Sequence, residues 1–204
     1  MTREEKLASI YRGGTVYRPL QEEKSILLEV QLGCSWHKCA FCDFTRDHFE
    51  LLPLEEVAEI LGELKVEGNR VFLLGQNPFC RSTSDLLHIF GYIHHYLPWV
   101  SEISMYARAD DILRKSPEDL RTLRQMGLRD LHVGVESGSD TVLLMANKGE
   151  TAADLLRAFR KLDEAGIQYL VTSILGLGGK QMWKSHAIET ARLYNQIHPR
   201  NIWV

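Results

Sequence analysis

The chain has only four cysteines in 204 residues, three of them in one short run, and no second cysteine pair stands elsewhere. Such a cluster is more often metal-binding or catalytic than the disulfide framework of a small secreted domain. No apolar stretch approaches the roughly 20 residues that a membrane helix needs, and the charged start Met1-Thr2-Arg3-Glu4-Glu5-Lys6 lacks the apolar core of a signal peptide. There is no polybasic tract. Lys and Arg number 24 against 27 Asp and Glu, a net charge of -3, so binding of nucleic acid by electrostatics alone is unsupported. No low-complexity or proline-rich linker divides the chain. No Ser-His-Asp arrangement is present, and Gly176-Leu177-Gly178-Gly179-Lys180 lacks the spacing of a phosphate loop. What remains is a cytoplasmic globular protein with no membrane partner, whose 45% apolar and 25% charged residues suit one α/β domain.

Strand-like and helix-like segments alternate in a strict order. Ile26 to Leu32 reads as a strand, and Leu54, Val57, Ile60, Leu61 and Leu64 recur at helical spacing before the short strand Val71 to Leu74. Leu86, Phe90, Ile93 and Leu97 predict a helix, and Ile103 to Tyr106 a strand. Ser116, Pro117 and Asp119 start a helix that stops at Gly127. Leu131 to Val135 reads as the fourth strand. Thr151 and Asp154 cap a helix carrying Leu155, Leu156, Phe159 and Leu162 that ends at Gly166. The run Tyr169 to Leu175, a helix from Ala187 to Ile197, and Ile202-Trp203-Val204 complete the pattern. Six strands with five intervening helices predict a mainly parallel α/β sheet, either a partial (β/α)6 barrel or a doubly wound open sheet. Residues 1–23, with Arg12-Gly13-Gly14-Thr15 and Arg18-Pro19, read as an N-terminal extension. Residues 24–204 read as the core domain, and the end at the sixth strand suggests that C-terminal elements are lacking.

The cysteines Cys34, Cys39 and Cys42 lie in Gly33-Cys34-Ser35-Trp36-His37-Lys38-Cys39-Ala40-Phe41-Cys42, directly after the first strand. Parallel sheets carry their chemistry on such loops at the carboxyl ends of strands. Three thiolates suit a four-iron cluster whose fourth iron has no protein ligand, whereas an electron-transfer cluster takes four. Structural zinc also takes four ligands, and the fourth here would be His37, His48 or the distant Cys80. A cluster, a zinc ion and unliganded thiols are the three readings. Alone after Pro78-Phe79, Cys80 reads as a buried or half-buried structural residue.

The cysteine run, with Phe41 just before its last cysteine, resembles the signature of the radical S-adenosylmethionine (SAM) enzymes. Leu128 to Asp140, followed by Met145 and Asn147-Lys148-Gly149, is similar to the fourth-strand segment of the branch containing oxygen-independent coproporphyrinogen oxidases, elongator-type proteins and methylthiotransferases. Ile174-Leu175-Gly176-Leu177-Gly178-Gly179 resembles the fifth-strand glycine motif of that branch, so the likeness covers about residues 26–204. Two departures stand out. Four residues rather than three separate Cys34 from Cys39, and Gly75-Gln76-Asn77-Pro78 stands where the family has a Gly-Gly-Glu-Pro-type segment.

The resemblance implies that Cys34, Cys39 and Cys42 hold a [4Fe-4S] cluster whose open iron binds SAM. It implies that one electron then cleaves the sulfonium, and that the resulting 5'-deoxyadenosyl radical takes a hydrogen atom from a substrate whose identity the sequence leaves open. It also implies an external electron donor such as flavodoxin or ferredoxin. Trp36 and Phe41 would shield the cluster, while Gly75, Gln76 and Asn77 would face the SAM amino group, Gln76 and Asn77 with side-chain carbonyls in place of a carboxylate. Glu136, with Ser137 and Ser139 beside it, would contact the ribose, or serve only as a charge at a helix start. Arg108 would pair with the SAM carboxylate, or with Asp110 or Asp111. Leu175 and Gly176 would wall the adenine. An iron-sulfur electron-transfer protein and a zinc-stabilised binding module are the alternatives. His94-His95 within a helix point in different directions, and Trp99, Trp183 and Trp203 read as packing or rim residues.

Overall fold

The computed structural model describes residues 11–13, 16–43, 48–64 and 66–204. Residues 1–10 and 14–15 of the expected extension lie outside the described residues. Six strands form one sheet: β1 (Ile26–Glu29), β4 (Arg70–Leu74), β5 (Glu102–Ala107), β6 (Leu128–Glu136), β7 (Gln168–Ser173) and β8 (Asn201–Trp203). They lie side by side in that order, and every pair is parallel. Two shorter strands, β2 (Gln31–Leu32) and β3 (Glu50–Leu51), pair antiparallel with each other. The helices are α1 (Leu54–Glu63), α2 (Thr83–Tyr96), α3 (Ala109–Arg114), α4 (Pro117–Gln125), α5 (Asp140–Met145), α6 (Ala152–Ala165) and α7 (Gly179–Tyr194).

Local chemistry explains where these elements start and stop. Ser116 with Asp119, and Thr151 with Asp154, form reciprocal capping boxes that satisfy the first amides of α4 and α6. On α6 the spacing of Leu155, Ala158, Phe159 and Leu162 puts all four on one buried face, where Phe159 stacks on Tyr169 of β7 at 4.6 Å. Gly166 ends that helix in the left-handed conformation. Strands β1 and β4 are buried along nearly their whole length, as strands covered on both faces must be.

Two expected boundaries move. The strand expected over 26–32 breaks after Glu29, and Gln31 and Leu32 leave the sheet to pair with β3, so the cysteine run departs on a small hairpin. The last helix begins at Gly179 rather than near Ala187, because the glycine-rich run folds straight into it without a side-chain cap. The strand before that run ends at Ser173, which leaves Leu175 exposed.

On β6 the two-residue alternation turns Asp130, His132 and Gly134 one way and Leu131, Val133 and Val135 the other. Beneath them lies Glu22, a residue of the expected extension, fully buried. Its carboxylate accepts hydrogen bonds from Ser25 Oγ (2.5 Å), Arg70 Nε and Nη2 (2.9 and 2.5 Å), Ser104 Oγ (3.0 Å) and His132 Nε2 (2.9 Å). Arg70 also bonds Asp130 and Glu102. Burial by itself would raise the Glu22 pKa, but the donors of Arg70, His132 and Ser25 outweigh it and hold the carboxyl far below the ordinary carboxylate range. Because its folded-state pKa is depressed, Glu22 stabilises the fold above the ordinary carboxylate pKa, and that contribution is lost as the pH falls below it. Glu22→Gln should therefore cost about 3 kcal/mol at pH 7 and flatten the acid limb of stability. Urea unfolding at pH 7 and pH 4 checks this; equal losses at both pH values would contradict it.

Candidate functional site

All three clustered cysteines ride on one excursion between Val30 and Leu52. Its base is the β2–β3 pair, closed by Leu52 N–H donating to Val30 O at 3.1 Å. Arg81, 3% exposed, reaches under that base and donates from Nη2 to the carbonyls of both Val30 and Leu52 at 2.6 Å. Burial lowers the pKa of this guanidinium, with Asp85 opposing. Lys115 in turn donates to Arg81 O at 2.8 Å. The far end of the excursion is tied by Ala40 N–H to Ala146 O at 2.9 Å, just past α5.

Cys34, Cys39 and Cys42 line a single cavity of about 500 Å³, within the range of small-molecule sites. All four cysteines of the chain are half-buried and free. A tetrahedral zinc ion with bonds of about 2.3 Å needs its thiolates about 3.8 Å apart. Among the described residues, the only three His, Cys, Asp or Glu ligand atoms lying within 4.8 Å of one another belong to Glu22, Asp130 and His132, and Arg70 already occupies that group. The clustered thiols thus stand wider apart than a mononuclear site demands. A four-iron cluster is broader than one ion, so this donor set fits it. Of the expected fourth zinc ligands, none lines the cavity: His37 turns its Nδ1 to Cys34 O at 3.2 Å, His48 lines a different cavity, and Cys80 sits beside Ser35 with its thiol pushed up to about 11, chiefly by burial.

The other expected residues divide into two sets. Phe41, Gln76, Arg108 and Glu136 line the cavity with the cysteines. Arg108 is 6% exposed; its Nε donates to Asp110 at 2.9 Å and its Nη2 to Lys148 O at 3.0 Å. So the expected pairing with Asp110 exists, with the Arg108 end buried and the Asp110 side chain 35% exposed. Glu136 stands at a register shift between β6 and β7 with φ 63, a conformation a non-glycine residue rarely adopts. Thr172 Oγ1 donates to its Oε1 at 2.9 Å. Burial raises its pKa, with Lys148 and Thr172 opposing.

The second set points elsewhere. Asn77 is fully buried and donates to Ser35 Oγ at 2.8 Å and to Asp111 Oδ2 at 2.5 Å. Ser137 bonds His186 Nδ1 at 2.8 Å and receives Ser139 N–H at 3.0 Å, tying the turn after β6 to α7. Leu175 is 79% exposed and, with Gly176, lies outside the cavity lining. At Gly75, φ 137 and a Gln31 Cβ only 2.7 Å from where a side chain would start leave room for glycine alone; it faces the second cavity. Sequence reasoning missed roles for Lys148, Tyr106, His132 and Thr172, which all line the main cavity. Lys148 is buried, pairs with Glu150 at 3.0 Å and opposes the upward push of burial on the Cys39 thiol. Its signal was a cation in the Asn147-Lys148-Gly149 turn.

Strand-end polar residues and three thiols thus share one cavity. The chain belongs to the radical SAM superfamily, whose family pattern it matches over residues 28–191. Members of that superfamily are enzymes that use a [4Fe-4S] cluster and SAM. It is similar to the heme chaperone HemW of Bacillus subtilis (strain 168), with 25% identity over 169 residues covering 76% of this chain and 44% of that protein. It is also similar to a tRNA-2-methylthio-N(6)-dimethylallyladenosine synthase of Idiomarina loihiensis, with 28% identity over 183 residues, 79% of this chain and 36% of that protein. The chain spans less than half the length of these curated relatives. In fold it resembles the cobalamin-dependent S-adenosylmethionine radical enzyme OxsB (TM-score 0.66, 20% identity, 86% of this chain and 27% of that one). It resembles coproporphyrinogen III oxidase (HemN) from Escherichia coli likewise (TM-score 0.64, 15% identity, 100% and 48%). Such likeness settles the partial barrel over the doubly wound sheet.

If Arg81 clamps the excursion, Arg81→Met should raise hydrogen exchange at the Leu52 amide at least about 10-fold, a local loss of about 1.4 kcal/mol. The midpoint of global unfolding should move little, since the change also removes a buried charge. Unchanged exchange at Leu52 would show that the β2–β3 pair holds without it.

Proposed function

We propose that this protein is an iron-sulfur enzyme that cleaves SAM reductively and abstracts a hydrogen atom from a substrate bound in the same cavity. The observation that carries the reading is the convergence of Cys34, Cys39 and Cys42 with Arg108, Glu136 and Lys148 on one cavity at the carboxyl ends of the strands. When bound, the cluster and SAM together supply one-electron cleavage of a carbon-sulfur bond and hydrogen-atom abstraction.

Each residue then has a defined task. Cys34, Cys39 and Cys42 hold the cluster through thiolates. Arg108 and Lys148 attract the SAM carboxylate, and the planar fork of Arg108 also fixes its orientation. Gln76 accepts from the ammonium through its side-chain carbonyl. Glu136, held by Thr172, accepts from ribose hydroxyls. Phe41 excludes water at the thiols. Asn77, Ser137 and Ser139 act one step removed: Asn77 anchors Ser35 next to Cys34, and the two serines fix the turn that presents Glu136. Leu175 and Gly176 have no task at the cavity in this reading. An external one-electron carrier such as flavodoxin or ferredoxin would supply the electron, in the cytoplasm; among the described residues no helix is long and apolar enough to cross a membrane.

Anaerobically reconstituted protein given dithionite and SAM should release methionine and 5'-deoxyadenosine. Cys39→Ala should release neither and lose most of its iron, while its unfolding midpoint stays within a few degrees, because a half-exposed ligand thiol contributes little to the core. Wild-type iron content in Cys39→Ala would refute the ligand assignment.

A further inference from the structure

The extra residue between Cys34 and Cys39 is accompanied by an unusual local turn. His37 has φ 35, and its ring nitrogen lies 3.2 Å from Cys34 O. This turn carries Trp36 across to the segment after α5, where its Nε1 donates to Asn147 O at 2.8 Å. The ring lies so close over Gly149, itself at φ 75, that a side chain there would overlap it. The guanidinium carbon of Arg108 stands 4.9 Å from the Trp36 ring centroid, and the Lys38 ammonium 5.0 Å. Arg108 is thus confined by Asp110, by Lys148 O, by the buried Glu150 carboxylate 3.6 Å from its Nη2 and by the indole face. Its Nη1 has no hydrogen-bond partner among the described residues, and the side chain lines the cavity.

We propose that Trp36 is a positioning residue: it locks the plane of the Arg108 guanidinium toward the cavity, and the four-residue cysteine spacing exists in this chain to deliver it. A guanidinium forms paired hydrogen bonds to a carboxylate only in its own plane. Asp110, Lys148 O and Glu150 hold its Nε and Nη2 but leave the plane free to tilt about them, and an aromatic ring 4.9 Å from the guanidinium carbon limits that tilt. Gly149 is part of the same device, since any side chain there would displace the indole. The proposal rests on the reading of Arg108 as the SAM carboxylate partner.

The test combines two measurements on Trp36→Phe, Trp36→Leu, Arg108→Gln and the Trp36→Leu/Arg108→Gln double variant. The first is the SAM dissociation constant by calorimetry on anaerobically reconstituted protein, expressed per loaded cluster. Trp36→Leu should weaken SAM about 10-fold, as expected for losing a desolvated cation-aromatic contact, and Trp36→Phe should weaken it less. The double variant should bind no worse than Arg108→Gln alone, because Trp36 acts through Arg108. Fully additive losses, or lower iron content with unchanged affinity in Trp36→Leu, would overturn the proposal and leave Trp36 a packing residue. The second measurement is the Arg108 Nε–Hε resonance in nitrogen-15-labelled protein without cluster or SAM. It should be ring-current shifted in wild type and return to the ordinary arginine position in Trp36→Leu; no change would overturn the clasp directly. If wild-type protein ignores SAM, the proposed function fails, and the resonance still decides whether Trp36 holds Arg108.

Discussion

One buried carboxylate organises this fold. Glu22 comes from the segment ahead of the sheet and draws donors from β4, β5 and β6, with sequence separations of 48 to Arg70, 82 to Ser104 and 110 to His132. The sheet runs from β1 to β8 without those two edges pairing, so the hydrogen-bond ladder alone does not close the lumen. Glu22 anchors the incoming chain beneath β4, β5 and β6, and Arg18, Pro19 and Leu20 just before it line the same cavity as Trp203 of β8. Burying an ion costs several kcal/mol of desolvation, and here Arg70, Ser25, Ser104 and His132 offset it together. Losing any one donor would leave the others holding a less compensated charge.

At the opposite end of the strands the problem is inverted. Three thiols must be held apart, near cations, on a segment that has left the sheet. Arg81 fixes the base of that segment and the Ala40–Ala146 bond fixes its tip, so its course is set by long-range contacts at both ends. The cavity between the two ends is consequently walled by rigid strands, while its chemistry sits on the loops that follow them. Glu136 and Asn147 both adopt positive φ beside the site, where Thr172 bonds the Glu136 side chain and Trp36 bonds the Asn147 carbonyl.

Local signals carried most of the architecture. The caps at Ser116 and Thr151 and the apolar stripes of α1, α2 and α6 depend on residues within one or two turns, and they formed where their spacing put them. That the three clustered cysteines share one cavity was legible because they lie within nine residues of one another. What escaped the sequence is non-local. Nothing near Glu22 marks a carboxylate whose partners lie 48 to 110 residues away, so its segment read as an extension. Ser137 and Ser139 sat beside Glu136 in sequence, but His186 captures Ser137, and that helix began earlier than its glycine-rich start suggested. Leu175 read as part of a strand that in fact stops at Ser173. Arg108 was legible as a partner of a neighbouring carboxylate, and it does pair with Asp110, but its place against Trp36 depends on the course of the cysteine segment and left no local signal.

The central claim is that the three thiols hold a cluster with one iron open to SAM inside this cavity. Electron paramagnetic resonance of anaerobically reconstituted, dithionite-reduced protein, recorded with and without SAM, tests it most directly. A reduced four-iron signal whose g-values shift when SAM is added is the expected result. A signal indifferent to SAM, or none after full reconstitution, would contradict it.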